Sequence, residues 1–146
     1  MSKHKIYLDI CTYNRPFDIQ SQIKIRLETE AKLFIQAGIR SGAYDMVWSY
    51  MHDIENSTSP YEEKRNSIGI WKGLAKEYCT SSDDILKAGQ EVQKLGIKPK
   101  DALHISCAIS HGCAYFITTD KGLLNKTVDN IKIVNPIDFI RETEDL

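Results

Sequence analysis

Apolar and polar residues are grouped along this chain in short blocks whose period keeps changing. Lys5–Ile10 (KIYLDI) mixes aliphatic, aromatic and β-branched residues and predicts a buried strand, with Asp9 inside the run. Cys11–Pro16 (CTYNRP) is predicted to turn, because Asn14 and Pro16 are turn formers and Pro16 disfavours helix at Arg15. From Phe17 to about Ile39, apolar residues recur at helical spacing at Ile19, Ile23, Leu27, Ala31, Phe34 and Ile35. Lys24, Arg26, Glu28, Glu30 and Lys32 fill the other positions, which predicts a solvated charged face, Glu28 and Glu30 included. Ser41–Gly42 closes this helix.

The alternation then repeats with shorter units. Asp45–Trp48 reads as a second strand, and Ser49 as the N-cap of a helix through Tyr50–Glu55. After a polar break at Asn56–Pro60, Tyr61–Lys76 is predicted helical, and Tyr78–Cys79 a very short strand. Ser81–Asp83 offer N-caps for a helix through Ile85, Ala88, Val92 and Leu95, stopped at Gly96. Pro99 precedes a nearly all-buried helix over Asp101–His111, with Gly112 as its stop. Ala114–Thr118 is a strand, Lys121–Leu124 a helical turn, Ile131–Val134 a last strand and Pro136–Ile140 a closing turn. Strands alternating with helices predict an α/β fold: a mainly parallel central sheet flanked by helices, in three layers.

Composition narrows this only a little. A length of 146 residues fits one domain, and 42% hydrophobic with 27% charged residues argues against disorder. The formal net charge of −1 provides no global field for nucleic acid, so such binding would need a local patch. Apolar runs are too short to span a bilayer, and the basic-then-apolar start MSKHKIYLDI is interrupted by Asp9, which reads as a strand rather than a leader. Cys11, Cys79, Cys107 and Cys113 form no CxxC pair and no zinc spacing with histidine, so reduced, mostly buried thiols of a cytoplasmic protein are expected.

The candidate chemistry lies in isolated acids. Asp9, Asp101 and Asp120 each stand beside apolar sequence at a strand end or a helix start, where an open α/β sheet forms its site. A carboxylate in such surroundings costs several kcal/mol unless it is paired, hydrogen-bonded or bound to a cation. Simpler roles exist for two of them: a helix-start acid that suits the dipole for Asp101, and a turn residue for Asp120. In the segment WSYMHDIEN, both Asp53 and Glu55 are open as a fourth acid. Acids converging on one point repel, and oxygen-only ligands suit magnesium or manganese better than zinc. His52, His104 and His111 read as core or surface histidines rather than ligands. Trp48 and Trp71 read as core, and Arg15, Lys98, Lys100 and Lys121 as loop charge flanking the acids.

Five blocks, LDICTYNRPFD (Leu8–Asp18), WSYMHDIENS (Trp48–Ser57), KPKDALHISCA (Lys98–Ala108), YFITTDKGLL (Tyr115–Leu124) and IVNPIDFI (Ile133–Ile140), together resemble a PIN domain. The resemblance is closest to the branch containing the VapC-like toxins of bacterial toxin–antitoxin pairs. It implies a single PIN-like domain over residues 1–146 and a metal-dependent endoribonuclease. In it, Asp9, Glu55, Asp101 and Asp120 bind Mg²⁺ or Mn²⁺, a metal-held water attacks the RNA phosphodiester, and Glu55 rather than Asp53 is the helical acid. Asn14 and Thr119 are expected to assist through hydrogen bonds, whereas Cys11 departs from the small polar residue common two positions after the first aspartate. The resemblance also implies an RNA substrate, an antitoxin partner lying in a groove near the site, and a homodimer. Two other readings stand beside it: a non-catalytic PIN-fold binding module, and a PIN nuclease of RNA maturation or decay without a toxin role. A phosphoacceptor domain ranks last, because no acid pair follows the first strand.

Overall fold

The computed structural model describes residues 3–14 and 21–144, except for the side chain of Asn14. Five strands form one parallel sheet: β1 (His4–Leu8), β2 (Tyr44–Ser49), β3 (Glu77–Cys79), β4 (Tyr115–Ile117) and β5 (Lys132–Val134), in the spatial order β3-β2-β1-β4-β5. The helices between and after them are α1 (Ile10–Asn14), α2 (Ile23–Ser41), α3 (Tyr50–Ser57), α4 (Glu62–Gly69), α5 (Asp83–Gln93), α6 (Pro99–Ser110), α7 (Lys121–Leu124) and α8 (Pro136–Thr143). A 3-10 turn at Ile70–Leu74 ends the segment predicted as one helix over Tyr61–Lys76. The expected α/β sheet flanked by helices is the observed one.

The central strand positions Ile6–Leu8, Met46–Trp48 and Phe116–Ile117 are apolar and buried because both faces of the sheet are covered there. Successive side chains point to opposite faces, so Ile6 and Leu8 join Met46, Trp48, Ile117, Ile35 and Phe139 on the side of α2 and α8. Tyr7, Val47 and Phe116 point the other way, into Ile85, Val92, Ile105 and Ala108 of α5 and α6. At Gly38 a Cβ would overlap the Tyr44 ring, so glycine permits the close approach of α2 to β2. Gly42 then ends α2 at a φ of 83°, in the left-handed region.

The chain crosses from β1 to β2 and β3 on one side of the sheet, then returns to β4 and β5 on the other. The order therefore reverses beside β1, and the crevice at a parallel sheet's carboxyl edge lies there. The segment after β1 differs from expectation: Ile10–Asn14 is a short helix, begun by Thr12 N–H donating to the Asp9 carbonyl at 2.9 Å. Arg15 and Pro16 of the expected turn, and Ile19 of the expected helix face, lie outside the described residues.

The orientation of α2 is a clear correction. Its buried face is Glu28, Ala31, Lys32, Ile35, Gln36 and Ile39, while Ile23, Leu27 and Phe34 are exposed. Glu28 is thus buried rather than solvated. Of the apolar positions that helical spacing marked, packing buries Ala31 and Ile35 and leaves Ile23, Leu27 and Phe34 outside, turning Lys32 toward Tyr13 and Trp71 instead. Lys32 places its ammonium over the rings of Tyr13 (5.2 Å) and Trp71 (5.6 Å), an attraction to the negative face of each ring. The Gln36 side-chain oxygen accepts from Trp71 Nε1 at 2.9 Å and also from Lys32.

Burial drives the Lys32 ammonium down to about 7 from its ordinary 10.5. The unfolded chain therefore binds more protons between pH 7 and 10.5, and stability through Lys32 rises with pH across that window. Lys32→Met should be more stable than the parent at pH 6 by about 1–2 kcal/mol, with the gap closing toward pH 9. Urea unfolding midpoints at the two pH values check this, and a gap that persists at pH 9 would remove ionisation as its cause.

Candidate active site

Asp9 follows directly on β1, and the backbone fixes it twice. Its N–H donates to the Ile117 carbonyl at 2.8 Å, and its own carbonyl accepts from Thr12. The side chain is 5% exposed. Oδ2 accepts from the Thr118 hydroxyl at 2.8 Å and from the Cys11 thiol at 3.4 Å. Burial pushes its pKa up, against the opposing effects of His104, Thr118 and Cys11. The Cys11 thiol is itself pushed up to about 11 by burial and by Asp9, so it remains a donor. Cysteine at this position thus keeps a hydrogen bond to the acid, though a weaker one than a hydroxyl would give.

Glu55 comes from α3, which starts at the end of β2. Ser49 caps this helix by accepting from Met51 N–H at 3.2 Å, as predicted, and His52 completes the cap by accepting from Ser49 N–H at 3.0 Å. Glu55 and Asp53 then diverge. Asp53 accepts from Trp48 Nε1 (2.9 Å), Tyr78 hydroxyl (2.5 Å) and Lys72 (3.1 Å). Burial alone would raise the Asp53 pKa, but these bonds outweigh it and hold the group low. Glu55 instead faces α6, with Oε1 2.8 Å from His104 Nε2.

Asp101 sits in the first turn of α6, behind Pro99, and Asp120 caps α7 by accepting from Gly122 N–H at 2.8 Å. The turn role considered for Asp120 is thus real, and it occupies one carboxylate oxygen. A cleft of about 750 Å³ is lined by Glu55, Asp101 and Asp120 together with Ile10, Thr58, Lys98, Pro99 and Lys100. Burial lifts Asp101 to about 6, and the charges of Asp9, Asp120 and Glu55 add to the lift against His104. Asp9, Asp120 and Glu55 therefore all lie within electrostatic reach of Asp101.

Among the described residues, no group of three or more His, Cys, Asp or Glu side chains is arranged to hold a metal ion. Like charges repel, and three of the acids are held by separate partners. The donor chemistry nevertheless fits a hard divalent cation: every candidate atom is a carboxylate oxygen, and the charges of Asp9, Asp120 and Glu55 add to the burial that lifts Asp101, with His104 opposing. Magnesium-like ions use only one or two carboxylates and keep their waters, so four drawn-in ligands are not required.

Two contributors were missed in the sequence. Thr118, not singled out beforehand, bonds Asp9 and also accepts from Asp120 N–H at 3.1 Å. Thr119 is buried, and its N–H donates to the Cys11 sulfur at 3.4 Å. Residue spacing cannot say which of two adjacent threonines faces inward without the strand register. His104 was read as a core or surface histidine; it is fully buried, yet one ring nitrogen reaches Glu55. Its position three residues after Asp101, on the same side of α6, was the available signal. The Asn14 side chain and Arg15 lie outside the described residues.

A parallel α/β sheet with acids gathered around a cleft at its carboxyl edge defines the class. The family model described as PIN domain matches residues 48–128, more than half of the chain, and the chain belongs to the PIN domain family. PIN domains are generally nucleases that depend on divalent metal. Among solved structures, the chain is similar in fold to the crystal structure of VapBC2 from Rickettsia felis bound to a DNA fragment from their promoter. That match has a TM-score of 0.53 and 20% identity, covering 90% of this chain and 98% of the other. No curated protein matches the chain.

The strain at Asp101 can be measured. With a folded pKa near 6 against an ordinary 3.8, its ionisation burdens the fold above pH 6, and the burden fades as pH falls toward 4. Without added divalent metal, Asp101→Asn should stabilise the protein by about 1 kcal/mol at pH 7.5 and by less at pH 5. Equal gains at both pH values in urea unfolding would show that charge is not the cause.

Proposed function

We propose that this chain is a single-domain, cytoplasmic, VapC-like endoribonuclease over residues 1–146, hydrolysing RNA phosphodiesters with Mg²⁺ or Mn²⁺. The observation that carries the reading is the cleft at the carboxyl edge of the sheet, lined by Glu55, Asp101 and Asp120, with Asp9 following directly on β1 beside it. These residues would hold the metal. A bound Mg²⁺ or Mn²⁺ supplies an activated water and offsets the charge that develops on the phosphodiester.

The chain's own residues do the rest. Thr118 and Cys11 orient the Asp9 carboxylate, and the Gly122 N–H orients that of Asp120. Lys98 and Lys100 line the same cleft and are exposed, which suits contacts to phosphates flanking the scissile bond. Tyr61, 66% exposed in an adjoining hollow that Glu55 also lines, offers a face on which a base stacks. The antitoxin partner fits the groove near the acids, and a second copy of the chain fits the apolar side of α2. There Ile23, Leu27 and Phe34 are exposed along one stripe. No helix of the described residues is long and apolar enough to cross a membrane.

Cleavage of an RNA panel with Mn²⁺ tests the reading, with Asp9→Asn in parallel. The parent should cut and Asp9→Asn should fall to background; equal activity in both would remove Asp9 from the mechanism. A second readout needs no substrate. Mn²⁺ at about 100 times its Kd should stabilise the parent by about 2.7 kcal/mol. Asp101→Asn should respond less to the same Mn²⁺ concentrations, as followed by thermal unfolding.

A further inference from the structure

A continuous file of hydrogen bonds runs from the cleft into the core. Glu55 Oε1 lies 2.8 Å from His104 Nε2, and His104 Nδ1 meets the Tyr7 hydroxyl. The Tyr7 oxygen lies 2.6 Å from Ser49 Oγ. His52 closes the file, with Nδ1 at the Ser49 N–H and Nε2 2.6 Å from the Leu8 carbonyl. Tyr7, Ser49, His52 and His104 are all fully buried. The file joins β1, β2, α3 and α6, the elements that carry or precede Asp9, Glu55 and Asp101.

The donors can be assigned from the partners alone. Ser49 N–H donates to His52 Nδ1, so the His52 proton is on Nε2 and goes to the Leu8 carbonyl. The Glu55 carboxylate only accepts, so His104 Nε2 carries a proton. The Tyr7 hydroxyl is the group placed at Nδ1, and it can donate to that nitrogen. Ser49 in turn donates to the Tyr7 oxygen. Every polar atom of His104 is satisfied in this arrangement, and its ring is held by β1 on one side and by Glu55 on the other.

We propose that His104 is a positioning residue for Glu55. Its Nε2–H holds one carboxylate oxygen and leaves the other for the cleft, while Tyr7 and Ser49 fix the tautomer that makes this donation. The inference rests on Glu55 serving as a metal-binding acid of the cleft. A buried leucine or methionine would fill the same volume but would leave Glu55 free to rotate and the Tyr7 hydroxyl without its acceptor. Outer partners of this kind orient ligating groups and typically change metal affinity by roughly 10–100-fold.

The test is Mn²⁺ binding to the full chain, by calorimetry or water-proton relaxation, together with RNA cleavage. His104→Leu removes the donor, His104→Gln places an amide N–H near the lost Nε2–H, and Tyr7→Phe removes only the tautomer lock. His104→Leu should weaken Mn²⁺ binding roughly 10–100-fold and lower kcat more than it changes KM. His104→Gln should recover most of the affinity, and Tyr7→Phe should lose roughly three- to tenfold. In a Glu55→Gln background, His104→Leu should weaken Mn²⁺ binding no further, since the pair acts as a unit. Wild-type affinity in folded His104→Leu, or His104→Gln as impaired as His104→Leu, overturns the proposal. If His104→Leu does not fold, Tyr7→Phe decides: weaker Mn²⁺ binding supports the proposal, and unchanged binding overturns it. Glu55→Gln separates the two levels. Unchanged Mn²⁺ binding there overturns the role of Glu55 and the proposal with it. Impaired binding in Glu55→Gln alone overturns only the positioning role of His104.

Discussion

Carboxylates brought to one edge of a sheet repel each other, and much of the local architecture answers that repulsion. Asp9 is held by a hydroxyl and a thiol from the segment after β4 and from α1. Glu55 is held by an imidazole from α6, and Asp120 by a backbone N–H of its own helical turn. Asp101 is lifted to about 6 by its burial first and by the charges of Asp9, Asp120 and Glu55 after that. The partners come from different elements, so the acids are in place only when β1, α3, α6 and the β4–α7 connection are assembled together.

The sheet order makes that assembly possible. With β1 central and β2 and β4 on either side, the first residue after β1 meets the end of β4 and the residue following it, as the bonds of Asp9 to the Ile117 carbonyl and the Thr118 hydroxyl demonstrate. Helix α6 runs back across the sheet, so its first turn returns to the carboxyl edge and delivers Asp101 beside Asp9. His104 lies one turn further along α6, already within the core, and connects the acidic rim to Tyr7 in the middle of the sheet. Polar groups at such depth persist because each is bonded; left unpaired, each would cost about 1–3 kcal/mol.

Much of this was legible in the sequence for simple reasons. Strand and helix blocks differ in period, so the alternation and the α/β class follow from hydrophobic spacing. An aspartate inside or just after an apolar run is conspicuous because its burial is costly, which singled out Asp9, Asp101 and Asp120; of these Asp9 is buried, Asp101 half-buried and Asp120 exposed. The boundaries shifted by a few residues where caps and last turns decide, as in the 3-10 end of the segment over Ile70–Leu74.

What the sequence could not determine depended on which face of an element packs. The apolar and charged positions of α2 overlap around the helix, and only the aromatic bed of Tyr13 and Trp71 settles that Lys32 and Glu28 turn inward and Phe34 outward. Glu55 and Asp53 are two residues apart on one helix and point to different sides: spacing left both open, the family resemblance implied Glu55, and the packed chain turns Glu55 toward α6 and Asp53 toward Tyr78. Likewise, Thr118 rather than its neighbour reaches Asp9 because strand register decides which side chain faces the β1 end. Local period and the cost of a buried charge are properties of the chain itself and can be read along it. Orientation, register and the pairing of distant side chains are properties of the packed sheet, and they exist only once its layers have closed.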